Sequence, residues 1–383
     1  MTAPFLSRIT MVGLIKEVTE GTYLGPTTFI PVNGGPKPVD EVGYEDDTSL
    51  ANSRAKLRGV YQTTKDTTYG LDFLAYFESI AHFLVAAGFA DTIAAKRTVS
   101  DGVTTISSPN ITSATAAFNS ADVGSAITGT GIPAATTILS VQSATAATLS
   151  ANATANGTGV SFVIGTTGQT RHNFRLSNSQ PPSYSLTDYD GYETLGYPGC
   201  RLDQLDITID AKAAIKCQSQ WKGWPAASQS QPTPTWPALP PGLGWEVAHT
   251  IGGTSVARIL QTGITVKSNT EPIHVAQNSQ SPLTVFAGES EASLKVKGIR
   301  IDDTERNHVL NNDQPAYVTT VTSPSGSPAP VLTITASVTA WKKAPTDRSG
   351  KYMTADYDLD AVANTTDGGP FQVLLVNGVA SAY

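Results

Sequence analysis

The stretch CRLDQLDITID at residues 200–210, followed after a short turn by AAIKCQSQWKG at 213–223, decides the fold class of this chain. In the first part, Leu205, Ile207 and Ile209 alternate with Asp206, Thr208 and Asp210. Strict alternation of apolar and polar side chains is typical of a β-strand with one buried face and one solvated face. In the second part Ile215, Cys217 and Trp221 alternate with lysines and glutamines, so the two parts are predicted to pair as a hairpin.

The same pattern recurs along the chain with turn residues about every ten positions, as in all-β proteins. Further predicted strands include RHNFRL, RILQTGITVKS, SLKVKGIRID, VLTITASVTAW and FQVLLVNG. Charged residues make up only 15% of the 383 residues, against about 25% in an ordinary domain. This composition favours β-structure with small side chains. A net charge of −7 argues against a basic groove for nucleic acid.

Two helices are predicted. Leu74, Phe77, Ala81, Leu84 and Val85 recur at helical spacing within residues 71–89, and Gly88 would end that amphipathic helix. A shorter helix is predicted over residues 304–310, with Thr304 as its N-cap and Glu305 in its first turn.

Three segments interrupt the strands. Residues 31–53 are polar and rich in glycine and proline, which predicts a long exposed loop, and residues 225–244 predict a Pro-rich loop. Residues 99–165 contain no lysine or arginine and consist largely of Ala, Thr, Ser and Gly, with short β-runs between turns. They predict a small all-β module, inserted into a discontinuous domain formed by residues 1–98 and 166–383.

The ordered series EVTEGTYLGPTTFIPV, NFRL with PPSYSLTDY, GCRLDQLDITID, TEPIHV, PLTVFAGESEASLKVKGIRIDDTE and GGPFQVLLVNG resembles the tail tube proteins of long non-contractile, siphovirus-type phage tails. The inserted segment departs from that pattern and resembles small all-β decoration modules of virion proteins. The resemblance implies a mainly β subunit, a sandwich or barrel-like fold with one packed helix. It also implies stacked hexameric rings around a DNA-conducting lumen.

Partners and location follow from the same resemblance. The chain would contact itself, the tape measure protein and the terminator and tip proteins of the tail. Viral DNA would pass through without specific binding, in a virion made in the host bacterial cytoplasm. No run of about 18 apolar residues indicates a membrane span, and no secretion signal is recognised at the N-terminus.

No constellation in the sequence predicts catalysis, a metal or a cofactor. Asp356, Asp358 and Asp360 lie two residues apart, which places them on one face of a strand rather than in a calcium loop. Cys217 is expected to be a buried, inert thiol. No disulfide is expected, because hairpin pairing would place Cys217 closer to Ile207 than to Cys200. No nucleophile elbow or phosphate-binding loop is present in the sequence.

Two sets of residues are candidates for assembly functions. Asp206, Thr208, Asp210, Gln218 and Gln220 are predicted to face the lumen, and the alternative is that this face is the outer, solvated side of the sheet. The inter-ring contact is predicted to use charged residues of the 31–58 segment: Asp40, Glu41, Glu45, Asp46, Asp47, Arg54, Lys56 and Arg58.

A monomeric β-rich adhesin or carbohydrate-binding virion module is the competing hypothesis. It is favoured by the inserted module and by Trp221, Trp224, Trp236 and Trp245, which flank the Pro-rich loop.

Overall fold

The computed structural model describes residues 9–50, 54–326 and 328–383. The first strands are β1 (Met11–Lys16), β2 (Thr28–Ile30), β3 (Lys37–Asp47), β4 (Gly59–Leu74), β5 (Phe89–Ala95), β6 (Arg97–Thr104), β7 (Asn110–Thr112), β8 (Ile127–Gly129), β9 (Ile138–Ser143), β10 (Ala146–Leu149), β11 (Gly157–Ile164), β12 (Thr170–Leu176), β13 (Tyr184–Tyr189) and β14 (Thr194–Asp210).

The later strands are β15 (Lys216–Gly223), β16 (Ala227–Ser228), β17 (Val247–Ile251), β18 (Thr254–Ser255), β19 (Ile259–Lys267), β20 (Thr270–Ile273), β21 (Thr284–Ala287), β22 (Glu291–Ile299), β23 (Tyr317–Thr322), β24 (Val331–Ala336), β25 (Thr339–Lys343), β26 (Thr346–Asp347), β27 (Thr354–Ala361) and β28 (Gln372–Asn377). The α-helices of the described residues are α1 (Ile80–Ala86) and α2 (Thr304–Asn311). The mainly β fold class predicted from the sequence is confirmed.

The largest sheet has 13 strands and divides at the long strand β14. Residues 194–200 of β14 pair with β13, which leads to β1 and β2. Residues 201–210 pair with β15 on one side and with β19 on the other. From there an antiparallel series of eight strands runs β3-β4-β15-β14-β19-β22-β27-β25. We call this series the central sheet.

A seven-stranded sheet, β18-β17-β23-β24-β28-β12-β5, shares one hydrophobic core with the central sheet. Trp221 of β15 lies in this core, with its ring centroid 5.9 Å from Phe83 of α1 and 5.7 Å from Tyr184 of β13. The apolar face of the β14–β15 hairpin therefore packs toward α1, as its alternation predicts.

Helix α1 is shorter than the predicted helix over residues 71–89. Leu71 and Phe73 belong to β4, where they lie opposite Ser219 and Cys217 of β15. Six of the seven α1 residues are buried, so the helix is enclosed by the core rather than amphipathic. Gly88 follows it with a φ of +91°, as expected of a glycine just beyond a helix end. In α2 the N-cap is Asp303 instead of Thr304.

The prediction of a long loop over residues 31–53 is wrong for most of the residues that the structure describes there. Residues 37–47 form β3, which pairs with β4 from Lys37↔Gly70 to Asp47↔Gly59. The sequence gives little sign of this strand because the hairpin has no core beneath it, so its polar and apolar residues do not alternate. Residues 51–53 lie outside the described part of the chain, as do residues 1–8.

Strands β6 to β11 form a separate six-stranded sheet with its own apolar core. Polar side chains connect this segment to the flanking strands β5 and β12. Arg97 of β6 pairs with the fully buried Asp122 within the segment at 2.7 Å, and Arg171 of β12 donates to the Val123 carbonyl of the segment at 2.7 Å. The Asn119 amide donates to the carbonyl of Ile93 in β5 at 3.0 Å. These contacts fix the segment against the edge of the seven-stranded sheet.

Candidate functional site

The polar face of the central sheet is built by the alternation in β14. Leu205, Ile207 and Ile209 are buried in the core, whereas Asp206, Thr208 and Asp210 are half-buried on the opposite side. Gln218 lies opposite Asp206 and Gln220 lies opposite Gln204, which places both glutamines on the same face. The structure thus brings all five predicted lumen residues together on one surface.

Hydrogen bonds fix the carboxylates of this face. Asp206 accepts from Thr265 Oγ1 of β19 at 2.5 Å and from Gln204 Nε2 at 2.6 Å. Asp72 of β4 accepts from Lys37 Nζ at 2.8 Å and from Gln218 Nε2 at 2.9 Å. The hydrogen bond from Lys37 holds the pKa of Asp72 below its ordinary value. Asp72 therefore stays charged at neutral pH, and the hydrogen bonds orient both carboxylates.

The face continues onto β22 and β27, where lysines and aspartates oppose each other. Lys297 lies opposite Asp356 with Nζ 3.6 Å from Oδ1, and Lys295 lies opposite Asp358. Asp360 forms an ion pair with Lys342. The three aspartates share one side of β27, as their spacing predicts. Because both charge signs alternate, this surface is close to balanced rather than simply acidic.

The contribution of β22 and β27 to this face was missed in the sequence analysis. The signal was present in SLKVKGIRID and DYDLDAV, where charged residues alternate with apolar ones. What the sequence did not supply was the strand order that places them beside β14.

The β3–β4 hairpin extends from one end of this face, and we call residues 37–66 the arm. Strand β4 pairs with β15 as far as Thr67↔Gly223. The part of β4 from residue 66 to 59 therefore projects beyond β15 by about 25 Å, at roughly 3.3 Å per residue. The loop after β20 braces its base. Gln280 accepts at 2.8 Å from the Lys65 amide, and His274 Nε2 lies 3.0 Å from Asp66 Oδ2.

The arm exposes apolar side chains and charges together. Tyr44 is 61% exposed, Tyr61 60% and Leu50 fully exposed. Asp40, Glu41, Glu45 and Asp46 are exposed and Asp47 is half-buried, all on β3; the cations Arg54, Lys56 and Arg58 are exposed in the connection to β4. None of these eight charged residues forms an ion pair within the described chain. The structure places the predicted inter-ring residues on one projecting element.

The candidate nucleophiles lie in the core. Cys217 is opposite Ile207, as predicted, and both cysteines are free and buried. Burial raises the pKa of the Cys200 and Cys217 thiols well above its ordinary value, so neither is a thiolate at neutral pH. Within the described residues, no group of three or more His, Cys, Asp or Glu side chains is arranged to hold a metal ion.

The four tryptophans near the Pro-rich loop do not form a common platform. Trp221 is in the core, and Trp224 packs so closely on Gly21 and Gly199 that a Cβ at either glycine would lie within 3 Å of its ring. Trp236 is held 6.1 Å from the Phe29 ring, and Trp245 is 67% exposed. Two of the four side chains thus serve packing rather than an exposed sugar-binding surface.

Comparison with known protein families is consistent with this architecture. The family described as phage tail tube protein matches residues 8–361, which is most of the chain. The chain therefore belongs to the phage tail tube protein family. Its role is structural rather than enzymatic, as a subunit of the tail tube in the virion. A search of curated proteins gave no match.

Membership of this family implies self-assembly into a tail together with other phage proteins. Across residues 9–50, 54–326 and 328–383, no helix has the length and apolarity needed to cross a membrane.

Proposed function

We propose that the chain assembles into stacked hexameric rings that form a tube for DNA delivery, with the central sheet as its inner wall. The observation that carries this proposal is an eight-strand antiparallel series that has one apolar and one polar face outside the arm. At its ends, β25 and the base of β3, residues 37–40 beside the part of β4 that pairs with β15, have a free side within the described chain. Unpaired strand edges favour pairing with another chain, and ring closure removes all of them.

The polar face is proposed to line the lumen, with Asp206, Thr208, Asp210, Gln218 and Gln220 toward the DNA. A conduit must not hold its cargo, because phosphate contacts repeated along a tube would stall the DNA. The ion pairs at Lys297 and Lys342 support this role because they occupy lysines that would otherwise bind phosphate.

The arm is proposed to contact the next ring. Its exposed tyrosines leave apolar area in water that a neighbouring copy would cover. Its charged side chains, which form no ion pair within the described chain, would pair with opposite charges on that copy. A single exposed ion pair contributes only about 0–1 kcal/mol, but a ring repeats it in every copy.

The 99–165 segment is proposed to be an inserted module on the outside of the tube. Its separate core and its attachment at the edge strand β5 and at Arg171 support this placement. The tape measure, terminator and tip proteins are the proposed partners at the lumen and the two tube ends, with assembly in the host bacterial cytoplasm.

Electron microscopy of the purified protein tests the proposal directly. We expect rings or tubes with sixfold symmetry, a lumen and regular outer projections from the 99–165 segment. Small particles at all concentrations would instead favour the adhesin hypothesis. Projections inside the tube would contradict the placement of the module.

Changing Asp206 and Asp210 together to lysine should leave tubes intact but slow DNA delivery, since the lumen would gain cations that bind phosphate. The measurement is infectivity and DNA release of phage particles carrying the variant, with Asp206→Asn and Asp210→Asn as the control. Unchanged delivery by intact lysine-variant tubes would contradict the lumen assignment.

A further inference from the structure

The two ends of the central sheet differ in charge. At one end of the strands, Gln204, Gln220 and Gly70 pair across β14, β15 and β4, and the arm extends beyond them. At the other end, Asp210, Gln261, Lys297 and Asp356 pair across β14, β19, β22 and β27. The turn between β26 and β27 lies beyond this second line of residues. That turn, residues 348–353, we call the basic turn. The arm and the basic turn therefore lie at opposite ends of the sheet, on its two outermost strand pairs.

The basic turn carries unpaired cations beside exposed apolar side chains. Arg348 and Lys351 are exposed and form no ion pair within the described residues. Tyr352 is 54% exposed and Met353 48%. Asp347, the nearest carboxylate in sequence, instead accepts hydrogen bonds from Ser349. The turn is thus a positive surface with an apolar centre.

The outer strand of the arm has the opposite character. β3 carries five carboxylates, and its lysine, Lys37, is bound to Asp72. The other cations of the distal arm, Arg54, Lys56 and Arg58, lie in the connection rather than on this strand. Tyr44 stands between the carboxylates and is exposed. The free edge of the arm is therefore a negative surface that also has an apolar centre.

We propose that the acidic edge of the arm binds the basic turn of a second copy of this chain. The inference rests on the proposed stacking of rings and names the surface that receives the arm. Surfaces at opposite ends of one molecule cannot meet within a single copy but meet in a head-to-tail contact between copies. Opposite charges would select this register, and Tyr44 with Tyr352 would supply apolar area.

Charge reversal on each surface tests the contact. The first variant combines Glu45→Lys and Asp46→Lys, and the second combines Arg348→Glu and Lys351→Glu. Each should raise the protein concentration needed for polymerisation by about tenfold or more, because attraction becomes repulsion at every contact. A control with Glu271→Lys and Glu289→Lys, exposed residues elsewhere, should polymerise like the unmodified chain.

Mixing the two reversal variants in equal amounts gives a result that misfolding cannot produce. The reversed arm of one variant matches the reversed turn of the other, and the remaining arm and turn are unmodified. At a concentration below that needed by either variant alone, the mixture should form tubes of 1:1 composition. Normal tubes from either variant alone, or no tubes from the mixture, would overturn this contact while leaving tube formation by the unmodified chain intact. If the unmodified chain itself forms no tubes, the proposed function fails as well.

Discussion

Removing the distal arm should give a folded subunit that no longer polymerises. Val42 lies opposite Lys65 in the β3–β4 register, so residues 43–64 can be replaced by Asn-Gly, which closes a two-residue hairpin. The replacement keeps the pairs Lys37↔Gly70 to Val42↔Lys65 and the Gln280 contact with Lys65. The removed residues have no core contacts, so the stability of the subunit should change little.

The measurement is sedimentation of the variant at concentrations where the unmodified chain forms tubes. A native circular dichroism spectrum with complete loss of sedimenting tubes is expected. The control is a variant that keeps the arm and changes the exposed Glu289, which lies outside the arm, to Gln. Tubes of normal length from the shortened chain would show that the arm is not part of the stacking contact.

Changing His172 to leucine should cost about 3–5 kcal/mol of unfolding free energy, since it leaves a carboxylate buried without its partner. His172 is fully buried, with Nδ1 2.8 Å from Asp91 Oδ2 and Nε2 3.0 Å from the Val379 carbonyl. The remaining donor to Asp91 Oδ2 would be the Tyr383 amide at 3.2 Å. The pair joins β12 and β5 to the segment that follows β28.

Urea unfolding of the arm-shortened chain would measure this cost without interference from polymerisation. The matched variant combines His172→Leu with Asp91→Leu, which removes both partners and should be less destabilised than the single change. Equal stability of the single and the double variants would show that the carboxylate is not held as a charged partner in the core.

The sequence predicted the strands that have a core beneath them. In β14 and β15 the alternation of Ile207 and Cys217 with polar neighbours reports burial directly, and the structure pairs these two residues. Alternation of apolar and polar residues could not predict β3, because both sides of the arm face water. The predicted helix also included Leu71 and Phe73, because the apolar stripe at helical spacing that begins at Leu74 follows them directly.

The candidate site was predictable only in part. Which residues of β14 share a face follows from the period of a strand, so Asp206, Thr208 and Asp210 could be grouped. Their neighbours Thr265 and Asp360 come from strands far away in sequence, and no local pattern states that β19 and β27 stand in this order. The balance of charge on the face therefore emerged only from the fold.

The arm and the basic turn at opposite ends of the central sheet give each subunit a direction. Copies joined head to tail through them all point the same way, so the finished filament has one end of free arms and another of free turns. A capping protein shaped for one end would not fit the other. New subunits would also add at different rates at the two ends, so a tail stacked through this proposed contact would grow as a polar filament.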